Sequence, residues 1–291
     1  MMLAVTSSAG TRLRAALLML VAAVLSACAT PVCCAPAPEK NPLEQALMLE
    51  GVNPASSALV IYRLEDEKVW ASGGARIRER FTPASTSKIP HTLLAYESGA
   101  VTGPDERFEW DGQKRFVDSW NEDQTFGEAF QRSTVWIYQI VVPRIGAARL
   151  TEGLEAFDYG NADIGGPGQI TRYWLEGPLA ISATEQVEFL ARLARRTLPL
   201  SARTYDLAVP VMVLERGEGW TLYGKTGWKS VEGEMDIGWF AGWVEQSAGD
   251  APGTYAFALN MDMPGGMEEA PRRRAAVERA LREIGALPPQ S

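Results

Sequence analysis

Residues 219–228 read GWTLYGKTGW, and the first eight match the phosphate-binding pattern G-x-x-x-x-G-K-[ST]. A phosphate loop needs a compact glycine-rich turn whose amides face the phosphates, and a helix that begins at the Lys-Thr pair. Here the four variable positions are Trp220, Thr221, Leu222 and Tyr223, which are bulky and strand-prone. The residues that follow, KTGWKSVEGEMDI, carry Gly227 and Gly233 and no apolar stripe at helical spacing, so no helix starts there. The stretch is therefore predicted as a strand rather than a nucleotide loop. On a strand, Lys225 presents a positive charge and Thr226 a hydroxyl to a cleft, and Gly227 leaves room for a substrate to lie against the backbone.

The flanks agree with a strand. Beyond Gly219, DIGWFAGWVE and TYAFALNMD are rich in aromatic, β-branched or alternating residues, and SAGDAPG between them reads as a hairpin loop. Near the other end, ALVIYRL, the acidic turn EDEK and VWASGG form a second hairpin signal. NPLEQALMLEG, with Leu43, Ala46, Leu47 and Leu49 at helical spacing, predicts a short helix that stops at Gly51. APRRRAAVERALREIGAL predicts the last helix, with Pro271 in its first turn, Val277, Ala280, Leu281 and Ile284 on one face, and Gly285 as its stop. Residues 85 to 208 are mostly helical in pattern, interrupted by loops such as GNADIGGPGQ. Their clearest helix is SATEQVEFLARLARR, with Ser182 or Thr184 as N-cap. The expected fold is α+β: an antiparallel sheet formed by N- and C-terminal strands flanked by helices, with a mostly helical region inserted.

The chain has 291 residues, enough to bury a sizeable core. It begins with Arg12, Arg14 and the apolar run AALLMLVAAVL, an export leader too short to remain as a spanning helix. Leu25-Ser26-Ala27-Cys28 reads as a lipobox, which predicts a signal peptide over 1–27 and acylation of Cys28; cleavage after Ala29 is the alternative, since Ala27-Cys28-Ala29 also fits the small-x-small rule. The expected location is the periplasm, with membrane attachment only through lipid on Cys28. A Pro/Ala-rich tether over 28–42 precedes a folded domain over 43–291. All three cysteines, Cys28, Cys33 and Cys34, lie in the leader and tether, so the body holds no disulfide and no cysteine metal site. His91 is the only histidine, which excludes a multi-histidine metal centre, and no metal is expected. Removal of residues 1–27 takes away two arginines and no acid, so the formal charge of −8 becomes −10. That balance argues against nucleic acid as a partner and for a small polar substrate.

Ser85-Thr86-Ser87-Lys88 precedes the helical run IPHTLLAYESG. Three residues apart at a helix start, Ser85 and Lys88 share one face, close enough for the amine to take the hydroxyl proton. An amine does this only when neutral, and burial in a dry pocket lowers a lysine's pKa toward that state. Alone, S-x-x-K also fits a capping serine beside a solvated lysine. The weight comes from further pieces in order: Ser133-Thr134-Val135 before WIYQIVV, Tyr159-Gly160-Asn161, Trp174-Leu175-Glu176-Gly177, and then Lys225-Thr226-Gly227.

With this ordered set the chain resembles the class D, oxacillinase-type serine β-lactamases, within the penicillin-recognising serine acyl-transferases. The likeness runs through PASTSKIP, FGEAFQRSTVWIYQ, YGN, WLEGPLAISATEQVEFL, GKTGW, GWFAGWVE and NMD. It implies hydrolysis of β-lactam antibiotics, with Ser85 as nucleophile and Lys88 as general base, carried as a carbamate formed with carbon dioxide. Val135, Trp174 and Leu175 are then the carbamate pocket, with the Trp174 N–H as donor. The resemblance also makes Ser133 the proton relay to the ring nitrogen, with Lys225 in electrostatic support. Thr226 and Arg273 bind the substrate carboxylate, and the backbone amides of Ser85 and Trp228 hold the oxyanion. Arg272, Arg273 and Arg274 stand together, so Arg273 is a choice of register. His91 lies on a different face from Ser85 and reads as a histidine either behind the site or on the surface. S-T-V lacks the asparagine of the S-D-N motif of class A enzymes. The rival readings are a β-lactam sensor that stays acylated and a peptidoglycan D,D-peptidase.

Overall fold

The computed structural model describes residues 41–249 and 251–289. The leader, Cys28 and the tether up to residue 40 lie outside the described residues. Helix α1, Pro42–Leu49, opens the folded part, capped by Asn41, whose side chain accepts from Leu43 N. Strands β1 (Ser57–Arg63) and β2 (Val69–Ser72) form the first hairpin. The helical insertion follows: α2 (Lys88–Glu97), a small ladder of β3 (Arg107–Phe108) with β4 (Gln124–Thr125), then α3 (Phe126–Gln131), α4 (Val135–Ile145), α5 (Ala147–Ala156), α6 (Ala183–Ala194) and α7 (Ala202–Val211). The chain returns to the sheet with β5 (Val213–Gly217), β6 (Trp220–Lys229), β7 (Ile237–Gln246) and β8 (Gly253–Asp262), and ends on α8 (Ala270–Glu283). The expected α+β plan is the observed one.

The six-stranded sheet has the order β2-β1-β8-β7-β6-β5, and every neighbouring pair is antiparallel. Both of its faces are covered, so β7 and β8 read as nearly continuous apolar runs rather than as strict alternation. The pleat still sorts them. Trp239, Ala241 and Trp243 face the inserted helices, while Phe240 and Val244 face α1 and α8. Small residues Ala58, Ala256 and Ala258 line the insertion side of β1 and β8, and α6 packs across them. Under α1 and α8 lies a second apolar layer built from Leu43, Leu47, Leu59, Phe257, Val277 and Leu281.

Ser182, one of the two N-cap candidates for α6, is the cap, with a reciprocal capping box to Glu185. Gly285, with φ +78°, follows the end of α8 as expected of a stop. Strand β5 was not anticipated. It is an edge strand whose Glu215, Arg216 and Gly217 are exposed, so it carries no apolar alternation to find.

Candidate active site

Ser85 sits in a single 3₁₀ turn, Ala84–Ser87, that runs directly into α2. Pro90 falls in the first turn of that helix, where its missing N–H costs little. Ala84 has φ +48°, a strained conformation for a residue with a Cβ, so the turn depends on its surroundings to persist. Thr86 Oγ1 donates to Pro83 O at 2.8 Å and Ser87 Oγ to Ala84 O at 2.6 Å. Gln186 Nε2 of α6 donates to Thr86 Oγ1 at 2.8 Å, and the Trp239 indole of β7 donates to Thr82 O at 3.0 Å. The nucleophile turn is thereby pinned to both the sheet and the insertion.

Lys88 Nζ lies 2.8 Å from Ser85 Oγ, within hydrogen-bond range. The lysine is fully buried, and its amine stands 5.0 Å from the Tyr138 ring centroid. Burial, followed by the nearby charge of Lys225, pulls its pKa well below the ordinary lysine value. A neutral amine against a serine hydroxyl is an activated nucleophile pair.

Two other segments complete the cleft. Ser133, with φ +61°, occupies the turn between α3 and α4, and Val135 begins α4 beside it. Thr134 between them is buried, its hydroxyl donating to Gln124 Oε1 at 2.6 Å. From the sheet, β6 contributes Lys225, Thr226, Gly227 and Trp228. Lys225 is almost fully buried; burial first, then the Arg273 charge, pulls its pKa down to about 7, and its amine donates to Thr226 O at 3.2 Å. The Trp228 indole donates to Asp236 Oδ2 at 2.7 Å.

The space enclosed measures about 830 Å³, and Ser85, Ser133, Val135, Leu175, Thr226, Gly227, Trp228 and Arg273 all line it. Of the three consecutive arginines, Arg273 alone faces this cleft. Its guanidinium is buried and donates to Gly227 O, and to Ala270 O at 2.8 Å. Arg272 pairs instead with Glu269, and Arg274 with Glu278 and Glu215.

Gly227 has a packing reason besides the substrate room its sequence suggested. A Cβ there would lie 2.8 Å from Pro83 O, 3.1 Å from Trp239 Cβ and 3.2 Å from Thr86 Cγ2. The missing side chain lets β6 close against the nucleophile turn.

Trp174 is fully buried, and its indole N–H has no partner. The segment that carries it is clasped from both sides. Phe81 and Ile181 exchange backbone hydrogen bonds at 2.9 and 3.0 Å. Asn161 receives Ala180 N at 2.9 Å and donates to Pro178 O at 2.8 Å. Gly160 has φ +61°, and a Cβ would stand 2.1 Å from Ala180 O, so only glycine fits. Likewise the NMD run is a clasp, because Arg76 donates to Asn260 Oδ1 at 2.9 Å and to Asp262 Oδ1 at 2.6 Å.

His91 is not a surface residue. It is fully buried, hydrogen-bonded through Nε2 to the Tyr173 hydroxyl at 2.6 Å, and burial pulls its pKa down to about 3. Lys88 and His91 lie one turn apart on α2, a spacing that places His91 behind the lysine rather than beside the serine. The sequence reading also missed an apolar rim. Phe116 and Trp120 meet edge-on at 5.5 Å and line the cleft together with Met267. Their segments have no regular period, so only the 76% exposure of Phe116, read in the folded chain, marks them. Among the described residues no group of three His, Cys, Asp or Glu side chains could hold a metal ion.

The Penicillin binding protein transpeptidase domain family matches residues 59–282. β-Lactamase OXA-2 of Salmonella typhimurium is 42% identical over 228 residues, 78% of each chain. β-Lactamase OXA-48 of Klebsiella pneumoniae is 37% identical over 210 residues, covering 72% of this chain and 77% of that one. Among solved structures, FUS-1 (OXA-85), a class D β-lactamase from Fusobacterium nucleatum subsp. polymorphum, aligns at a TM-score of 0.78 with 35% identity, over 86% of this chain and 99% of that one. The class D β-lactamase YbXI from Nostoc aligns equally well, at 0.78 with 38% identity, over 84% and 99%.

Proposed function

The chain belongs to the class D β-lactamases and hydrolyses β-lactam antibiotics through a reactive serine, and on that premise we propose that Ser85 is the nucleophile and Lys88 the base that activates it. The observation that carries the assignment is the 2.8 Å contact between the Ser85 hydroxyl and a fully buried Lys88 amine, whose pKa burial pulls well below the ordinary lysine value. Ser85 Oγ attacks the lactam carbonyl as its proton passes to Lys88, and the ring opens into an acyl-enzyme. The backbone N–H groups of Ser85 and Trp228 hold the oxyanion. Ser133 passes a proton to the departing ring nitrogen. With a pKa near 7, Lys225 carries positive charge part of the time at neutral pH and supports that transfer. Thr226 and the buried Arg273 guanidinium bind the substrate carboxylate.

Lys88 also suits a carbamate. Its amine is fully buried with its pKa pulled down by burial, which favours the neutral form that reacts with carbon dioxide. Val135 and Leu175 keep the entrance apolar, and the unpartnered Trp174 N–H supplies a donor suited to a small anionic group. Formed from carbon dioxide, such a group supplies an oxygen base for both acylation and deacylation. The test is hydrolysis of a penicillin and of a chromogenic cephalosporin in buffer stripped of carbon dioxide, with and without added bicarbonate. Many turnovers that rise with bicarbonate are expected. Turnover indifferent to bicarbonate would sink the carbamate.

The protein is further proposed to be exported to the periplasm and anchored by lipid on Cys28, on the strength of the lipobox Leu25-Ser26-Ala27-Cys28. Labelled fatty acid should enter the precursor and be lost in Cys28→Ala; equal labelling of both would refute the anchor.

A further inference from the structure

His91 is a buried ionisable group on the helix of Lys88 to which the mechanism gives no task. Packing alone does not account for it, because an apolar ring would fill the same space without leaving Nδ1 buried and unpartnered. Its surroundings are specific. The imidazole meets Trp174 edge-on at 4.8 Å, with the two planes at 73°. Tyr173 meets Trp174 from another side at 5.1 Å and 85°, and the His91–Tyr173 hydrogen bond closes the triangle at 2.6 Å. The indole is therefore held by two rings that are themselves tied together. Tyr138, which lies under the Lys88 amine, also borders His91 at 6.5 Å, so lysine and histidine meet the same buried ring.

Trp174 itself enters on an irregular segment, with no helix or strand ladder to set its side chain. Turn hydrogen bonds hold its backbone neighbours, Tyr173 N donating to Gln169 O at 2.8 Å and Leu175 N to Arg172 O at 2.9 Å, and the clasps at residues 178 to 181 follow. These bonds fix the backbone, while the ring itself is met by the His91 and Tyr173 side chains. We propose that His91 is a positioning residue: through its hydrogen bond to Tyr173 and its contact with Trp174, it fixes the orientation of the indole N–H, and so, with Trp174 as the carbamate donor, sets how tightly Lys88 holds carbon dioxide. The second half of this statement rests on the carbamate proposed above; the first half does not.

Two variants separate the parts. Tyr173→Phe removes one hydroxyl and keeps the ring against Trp174, while His91→Phe keeps an aromatic ring and removes the hydrogen bond. The indole resonance of Trp174 in protein labelled with nitrogen-15 tryptophan, assigned by its loss in Trp174→Phe, reports position without any carbon dioxide present. It is expected to shift or broaden in both variants. Carbon-13 bicarbonate, followed by NMR through a signal that disappears in Lys88→Ala, reports carbamate occupancy. Half-saturation is expected to need roughly three- to ten-fold more bicarbonate in each variant, the effect of losing one buried hydrogen bond, with KM for penicillin little changed. An unmoved indole resonance in both variants overturns the positioning role. A moved resonance with an unchanged half-saturation overturns the link to Lys88. If wild type gives no carbon-13 signal at all, the carbamate reading has failed, and the indole shift still decides the positioning. Because Tyr173→Phe deletes a single oxygen, it keeps the test open even if His91→Phe does not fold.

Discussion

Replacing Gly227 with alanine adds one methyl group between the strand that carries Lys225 and the turn that carries Ser85. The new Cβ would stand 2.8 Å from Pro83 O, and backbone cannot swing aside as a flexible side chain can. Nor can the strand retreat freely, since Trp239 Cβ lies 3.1 Å away on β7 and the Trp239 indole holds Thr82 O from the same neighbour at 3.0 Å. Overpacking of this kind costs roughly 1–3 kcal/mol. At about 2–4 °C per kcal/mol for a domain of this size, the melting temperature should fall by about 2–12 °C. The activity loss should be larger than stability alone explains. Relief of the clash moves the Ser85 turn away from β6, and so separates the amides of Ser85 and Trp228; misplacement on the order of 1 Å costs about a hundred-fold in rate. Thermal unfolding by calorimetry and steady-state hydrolysis of a penicillin measure the two effects on one preparation. A Gly227→Ala protein with wild-type melting temperature and wild-type kcat/KM would refute the argument that close approach requires this glycine.

Three further outcomes follow from the same geometry. Lys88→Ala should slow deacylation more than acylation, by roughly 10²–10⁴-fold, so that intact-mass spectrometry detects an accumulated penicillin adduct; wild-type turnover would remove Lys88 from the mechanism. Arg273→Ala should lower kcat/KM roughly ten- to hundred-fold, while Arg272→Ala and Arg274→Ala, whose partners lie outside the cleft, change it little; equal effects at all three positions would refute the assignment. Lys225, held at about 7 in the fold against 10.5 when unfolded, refuses a proton that the unfolded chain accepts between those values. Its contribution therefore makes the protein less stable as pH falls from about 10 to 7, and Lys225→Met should gain stability over wild type across that window in urea unfolding midpoints. A gap that stays constant with pH would show that the buried amine titrates normally.

Much of the fold could be read directly from the chain. The hairpin at β1 and β2, the long strands β6 to β8, and helices α1, α6 and α8 follow from period and turn chemistry, because each buries a face and ends on a recognisable cap. Strand β5 could not be read that way, since an edge strand with exposed Glu215 and Arg216 has no buried face to imprint a pattern. In the same way, the exposed Phe116 and the Trp120 beside it sit on an irregular segment whose position over the cleft depends on the whole insertion.

The site divides along a similar line. Ser85 and Lys88 meet because residues three apart at a helix start face the same way, a relation contained in local geometry and visible in S-T-S-K itself. The helical spacing likewise sets His91 apart from Ser85. Distant relations needed the folded chain. That Arg273 turns inward while Arg272 and Arg274 pair outside depends on how α8 docks on the sheet. The burial of His91 beneath Trp174 depends on a loop some eighty residues further on. Gly227 is required by the approach of β6 to a turn more than a hundred residues earlier. Local periodicity carries information over one turn or one pleat, whereas the distance between two elements is set by every side chain packed between them, and only the assembled core contains that sum.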